Sequence, residues 1–232
     1  MNKKKYLLLI FLSILTPYVL TVFFVRSSSL LIILPSDIIA LIILIISTIK
    51  YLKTVDSRKH KMITRFSVFG MVILYFVSYG FLLQTADYVF FKLREKRLNE
   101  FVVDIKDYNK INAMSDGQGF WKTLNDYSIE PDITNVDTTK KYGKKYHLDD
   151  ILTKEQIEID KYEEFRQILI DVDLISFTTL RDGTISFTID GFLDNCQGFA
   201  YSETDENPGG NDCGRIIHWR KVAKNWYAWY TT

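Results

Sequence analysis

The sequence predicts a membrane-anchored α+β protein: three membrane-spanning helices, then a soluble α+β domain built as an antiparallel meander of about five strands with one packed helix. Three observations predict it. Long uncharged apolar runs crowd the N-terminal part. The charge balance reverses along the chain. The hydrophobic period of the C-terminal part changes from three-and-four spacing to strict alternation.

Whole-chain averages hide the division. The 232 residues carry a formal net charge of +1 and a mean hydropathy of +0.00. Residues 1–98 hold fourteen Lys/Arg against four Asp/Glu, and residues 99–232 hold fifteen against twenty-four. A basic apolar part therefore precedes an acidic mixed part, which fits a membrane contact on one side and a solvated domain on the other. An acidic domain is a poor match for phosphate backbones, so no nucleic-acid partner is expected. The expected partners are the lipid bilayer and a protein outside the cytoplasm.

The first span is expected near 6–25. It follows a basic leader, Lys3 to Lys5, and carries no charge. About 20 apolar helical residues cross a bilayer core. Pro17 within it removes one backbone donor, which spanning helices tolerate. A cleaved signal peptide is the competing reading. The run is too long for one, and no A-x-A site follows. The second span is expected near 35–52. Starting it at Pro35 puts proline in the first turn and Asp37 near the positive end of the helix dipole. Leu30 to Leu34 would then be an apolar loop, and Asp37 as an ion or proton site is the sharper alternative. The third span is expected near 66–86. Gly70 and Gly80 would allow close helix approach, and Tyr75, Tyr79 and Tyr88 would serve as packing or interface aromatics.

Orientation follows from the loops. Lys3, Lys4 and Lys5 with the basic stretch Lys50 to Arg65 place nine cations on one side. Arg26, Lys92, Arg94, Lys96 and Arg97 place five on the other. The positive-inside rule puts the N-terminus in the cytoplasm and the domain at 99–232 outside it.

In the domain, Leu98, Phe101, Val102, Ile105 and Tyr108 recur at helical spacing. They continue the third helix to about Ile111, with a strand at Phe101–Ile105 as the rival. Phe120, Trp121, Leu124 and Tyr127 are expected to pack on the core, and Asp126 to Lys145 to form a loop. Thr153-Lys-Glu-Gln156 has the capping-box form and predicts a helix to about Asp171. Leu174–Leu180 and Thr184–Asp190 alternate and are joined by Arg181-Asp182-Gly183, a hairpin signal. Further strands are expected at Gln197–Ser202, Arg215–Val222 and Trp226–Tyr230, with Lys224-Asn225 as the last turn.

Signatures of chemistry are few. The chain has no Gly-rich phosphate loop, H-E-x-x-H or C-x-x-C. His60, His147 and His218 suggest no metal spacing. No metal and no cofactor is expected. Cys196 with His218 and Asp194 is the one nucleophile constellation available, and a thiol enzyme using Cys196 is the enzymatic alternative. A disulfide between Cys196 and Cys213, bracketing the acidic loop from Glu203 to Asp212, is the preferred use of the only two cysteines. That loop lacks the spacing of a calcium loop. Trp219, Trp226, Tyr227, Trp229 and Tyr230 offer aromatics to both faces of the last hairpin. Half must face the core, and the other half form the candidate binding surface. The expected role is display of a binding or interaction domain, not catalysis. An immunity-type membrane protein directed against a toxin is an alternative resting on architecture alone.

Overall fold

A computed structural model of the chain describes residues 3–24, 30–115, 122–129, 145–192, 195–208, 210–211 and 213–231. It divides into two compact units, Met1–Lys92 and Leu93–Thr232.

The first unit contains α1 (Lys3–Phe24), α2 (Leu30–Lys53) and most of α3 (Arg58–Tyr108). All three are long and apolar enough to cross a membrane. Their large side chains face outward: Phe66, Phe76 and Val77 are 69%, 71% and 77% exposed. Water would penalise such a surface, and hydrocarbon would not. Two expectations change. Leu30–Leu34 is helical, not a loop, so Pro35 and Asp37 lie inside α2. Proline near a helix start forfeits only one ladder bond, and the apolar run ahead of it is a good helix former. The stretch from Lys50 to Arg65 is also mostly helix, with only residues 54–57 linking α2 to α3. Gly70 and Gly80 face open space: a Cβ on either would meet no neighbouring atom within 4 Å, so neither marks a close helix contact.

The second unit begins within α3, whose residues up to Tyr108 are helical, as the spacing predicts; no strand forms at 101–105. Asn109 then takes a positive φ of 40°, a conformation asparagine tolerates better than most residues. Strands β1 (Ala113–Ser115), β2 (Lys122–Leu124), β3 (Tyr127–Ile129) and β4 (Lys145–Tyr146) follow. After them come α4 (Leu148–Glu155) and α5 (Ile159–Asp171), then β5 (Ser176–Thr179), β6 (Ile185–Phe192), β7 (Asn195–Tyr201), β8 (Ile216–Ala223) and β9 (Trp226–Thr231).

The predicted single helix is thus two. Thr153 does not cap a helix; it lies near the C-terminus of α4. The chain turns at Gln156, φ 54°, where the Ile157 N–H donates to the Leu152 carbonyl and the Gln156 N–H to the Thr153 carbonyl. This is a Schellman pattern with a non-glycine residue in the left-handed position. α5 ends in the same way at Asp173, φ 55°, with Leu174 N–H on the Leu169 carbonyl and Asp173 N–H on that of Ile170. Arg94 of α3 completes this end, donating from Nε to the Val172 carbonyl and pairing with the Asp173 carboxylate.

Among the described residues the sheet holds nine strands, not about five, in the order β4-β3-β2-β1-β5-β6-β7-β9-β8. Pairing is antiparallel except between β3 and β4. β2 and β3 form a hairpin on Asn125-Asp126, so the stretch read as loop from Asp126 opens with a strand. Asn125 has φ 50°, and its Oδ1 accepts the Asn112 N–H. Phe120 and Trp121 lie outside the described residues. The last five strands match the predicted positions, but they are not a meander. β9 inserts between β7 and β8, so the third and fourth predicted strands are not neighbours.

One face of the sheet packs on helices. Phe101 of α3 meets Phe165 of α5 and Phe177 of β5 edge-on, each at 5.3 Å between ring centres. Phe187 of β6 stacks on Trp226 of β9 at 5.7 Å. All five rings are nearly inaccessible to solvent. Such pairs add about 0.5–1.5 kcal/mol each beyond the area they bury. The Trp226 indole N–H donates to Asn99 Oδ1 at 2.9 Å, which satisfies its one buried donor.

Candidate functional site

The opposite face of the sheet is chemically different, and the register defines it. Side chains alternate across a strand, so residues paired across strands share a face. One row runs Thr123, Ser115, Ser176, Thr188, Gly198, Trp229, Trp219. The next runs Ala113, Thr178, Ser186, Ala200, Tyr227, Lys221. Hydroxyls thus line the β2-β1-β5-β6 half. Small and aromatic side chains line the β7-β9-β8 half.

The hydroxyl half forms a trough of about 450 Å³ bordered by Ser115, Thr123, Ser176, Thr178, Thr188 and Cys213. Ser186 Oγ is buried beside it and has no hydrogen-bond partner among the described residues. Hydroxyls donate and accept without charge. A surface of this kind suits uncharged polar groups such as peptide or carbohydrate.

The aromatic half is organised by the cysteines. Cys196 and Cys213 lie at disulfide distance, 6.1 Å between Cα atoms. A meander would set β7 and β8 side by side at the base of this loop, but β9 separates them. The loop before β8 instead passes across β9, and its Cys213 comes down on Cys196 of β7. The pair, Ala200 and Trp229 then form a small second core, with Ile216 and Trp219 packed against it. Trp229 donates its indole N–H to the Phe199 carbonyl at 3.0 Å. Gly198 lies under the indole; a Cβ there would stand 2.6 Å from the Trp229 ring and 1.8 Å from the Phe187 carbonyl oxygen.

The aromatic set expected to bind is divided by burial. Trp226 belongs to the helix-packed core, Trp229 to the second core, and Tyr227 is buried with its hydroxyl donating to the Asp205 carbonyl at 2.6 Å. These three are buried; of the two half-buried ones, Trp219 lies on this face, and Tyr230, of the same parity as Trp226, lies on the helix-packed one. His218 packs near Tyr230, 6.1 Å between ring centres, and is exposed. Asp194 lies outside the described residues. With Cys196 facing Cys213, the thiol constellation loses its nucleophile.

The acidic loop is not simply self-repelling. Glu203 pairs with Lys106, and Asp205 with Lys221. Lys106 also lies 4.4 Å over the Tyr201 ring. These ion pairs hold both carboxyls below the ordinary carboxylate range, and the Asn225 N–H helps at Asp205. No group of three metal-ligating side chains gathers among the described residues.

The hydroxyl trough escaped the sequence reading. Its signal is the alternation itself: Ser176 and Thr178 flank Phe177, and Ser186 and Thr188 flank Phe187. One parity builds the core and the other the trough. The chain matches no family model, no curated protein and no solved structure.

Proposed function

We propose that this chain is a multi-pass membrane protein whose domain at residues 93–232 is displayed outside the cytoplasm to bind a partner through the outer sheet face. The observation that carries the reading is the cysteine pair. A disulfide persists on the oxidising side of a membrane, and three spans with nine cations on the N-terminal side lead to that side. The hydroxyl trough and the half-buried Trp219 supply the contact surface. Uncharged donors and acceptors beside aromatics suit a polypeptide backbone with its side chains. The role is binding, since pairing of Cys196 removes the one thiol that the enzymatic alternative requires.

Two measurements test it. A reporter active only outside the cytoplasm, fused after Thr232, is expected to be active; activity of a cytoplasm-only reporter at the same point defeats the orientation. A photo-crosslinker replacing Ser176 in the full chain in cells is expected to capture a second polypeptide. Capture from exposed Ile170 of α5 but not from position 176 would move the surface elsewhere.

A further inference from the structure

A second cleft lies in the first unit, far in sequence from the sheet. It has a volume of about 260 Å³ and is lined by all three long helices. Ile14, Leu41, Leu44, Val72 and Phe76 make its walls almost wholly apolar. Asp37 of α2 also lines it, and the Asp37 Oδ1 atom is buried with no hydrogen-bond partner among the described residues. An ionisable side chain in a spanning helix is expensive and calls for a counter-group.

Other polar groups at the cleft do not supply that counter-group. Tyr18 donates its hydroxyl to the Met71 carbonyl at 3.3 Å, and the Tyr75 hydroxyl is hydrogen-bonded to Thr21 Oγ1 at 2.9 Å. Pro17 lines the same cleft and has no N–H to give the carbonyl one turn back, that of Ser13, which also lines it. Asp37 and the turn from Ser13 to Pro17, where proline leaves the Ser13 carbonyl without its ladder donor, thus line one apolar cavity.

We propose that this cleft binds a compact organic ammonium ion: an apolar body against the walls, with its N–H donors on Asp37 and the Ser13 carbonyl. A bare metal cation fits poorly. Calcium takes about six to eight oxygen ligands and magnesium an octahedral set, whereas the cleft has one carboxylate and at most the Ser13 carbonyl beside it. An ammonium needs few acceptors and brings its own apolar surface, so it matches both the charge and the lining.

The inference rests on the first unit lying in a bilayer, which is checked separately by resistance of the chain to alkaline extraction. The test uses the full chain in phosphatidylcholine nanodiscs with radiolabelled 1-adamantylamine, and 1-adamantanol as the uncharged competitor of equal shape. Saturable binding of one amine per chain is expected, undiminished by the alcohol and weakened at least about tenfold, or 1.4 kcal/mol, in Asp37→Asn. Leu41→Trp, which fills the cleft and keeps the carboxylate, is expected to abolish binding and provides a second reading should Asp37→Asn fail to fold. Uptake equal to that of empty nanodiscs, or equal in wild type and both variants, overturns the proposal. Loss of the saturable binding on adding phosphatidylethanolamine would assign the cleft to a lipid head group and overturn the free amine as occupant.

Discussion

The two faces of the sheet solve one problem by different means. The helix-packed face is closed mainly by shape: Phe101, Phe165, Phe177, Phe187 and Trp226 interlock, with the Trp226 indole hydrogen bond and the Arg94 contacts at its margin. The outer face has no helix. Its aromatic half is closed by a loop fastened at Cys196–Cys213 and by the Asp205–Lys221 pair, while its hydroxyl half forms the trough and Glu203 ties the same loop to Lys106 of α3. The difference teaches where the domain is robust. Packing spreads its contribution over many atoms, whereas a tether concentrates it at one bond. The outer face is therefore the one that redox state and pH can reach.

That contrast can be broken directly. The second unit, expressed alone as residues 93–232, is expected to fold, with mixed helix and strand circular dichroism, and serves for the measurements. Phe187→Ala removes the inner-face ring that stacks on Trp226 and meets Phe101 and Phe177. It is expected to cost about 3–5 kcal/mol in denaturant unfolding; a loss below about 1 kcal/mol would mean that the inner face is not the main core. Replacing both cysteines by serine should cost about 3 kcal/mol, by a chain-entropy argument whose enthalpic share is disputed. The trough-lining strands should keep their hydrogen-exchange protection while the loop at 202–215 loses it. Non-reducing mass spectrometry of protein from its native compartment should show the two residues linked, and two free thiols there would remove the tether from the comparison.

Gly198 lies beneath Trp229 on the outer face, where a Cβ would crowd both the Trp229 ring and the Phe187 carbonyl. Gly198→Ala should cost about 1–3 kcal/mol by forcing apart a packed contact, and Trp229 fluorescence should report the displacement. The smallest effect is on pH. Folded Glu203 and Asp205 titrate below their ordinary values of 4.5 and 3.8, because Lys106 and Lys221 stabilise the anions. Their contribution is fully present above those ordinary values and fades as pH falls through the lower folded ones. A thermal midpoint followed downward from about pH 6 should therefore drop more in wild type than in Asp205→Asn as the pH falls below about 4. Parallel curves would leave the loop held by the cysteines alone.

Much of this architecture was readable from periodicity. Three long apolar runs mark the long helices, and the alternation after Leu174 marks β5 to β9 within a residue or two. Short strands were not readable. β1 to β3 have three residues each, too few to display a period. The β2–β3 hairpin still left a trace, since Asn125-Asp126 joins two short runs containing Leu124 and Ile129. The split between α4 and α5 was hidden because Gln156 adopts a left-handed conformation that glycine usually marks. Strand order was hidden for a different reason: a hairpin signal says that β8 and β9 pair, not which of them meets β7. The aromatic set was misjudged in degree only. A strand with both faces covered, as β9 is, does not show the clean apolar–polar alternation that separates core from surface.

The insertion of β9 between β7 and β8 bears on how the molecule is made. A ribosome releases β7, then the loop with Cys213, then β8, and only afterwards the strand that joins them. Until Trp226 to Thr231 emerge, β7 and β8 lack the ladder that aligns them, and both cysteines are in reach of any oxidant or stray thiol. The sheet therefore cannot close progressively from one end during synthesis. It waits for its keystone, and in that interval a chaperone or thiol-isomerase would have the most to do.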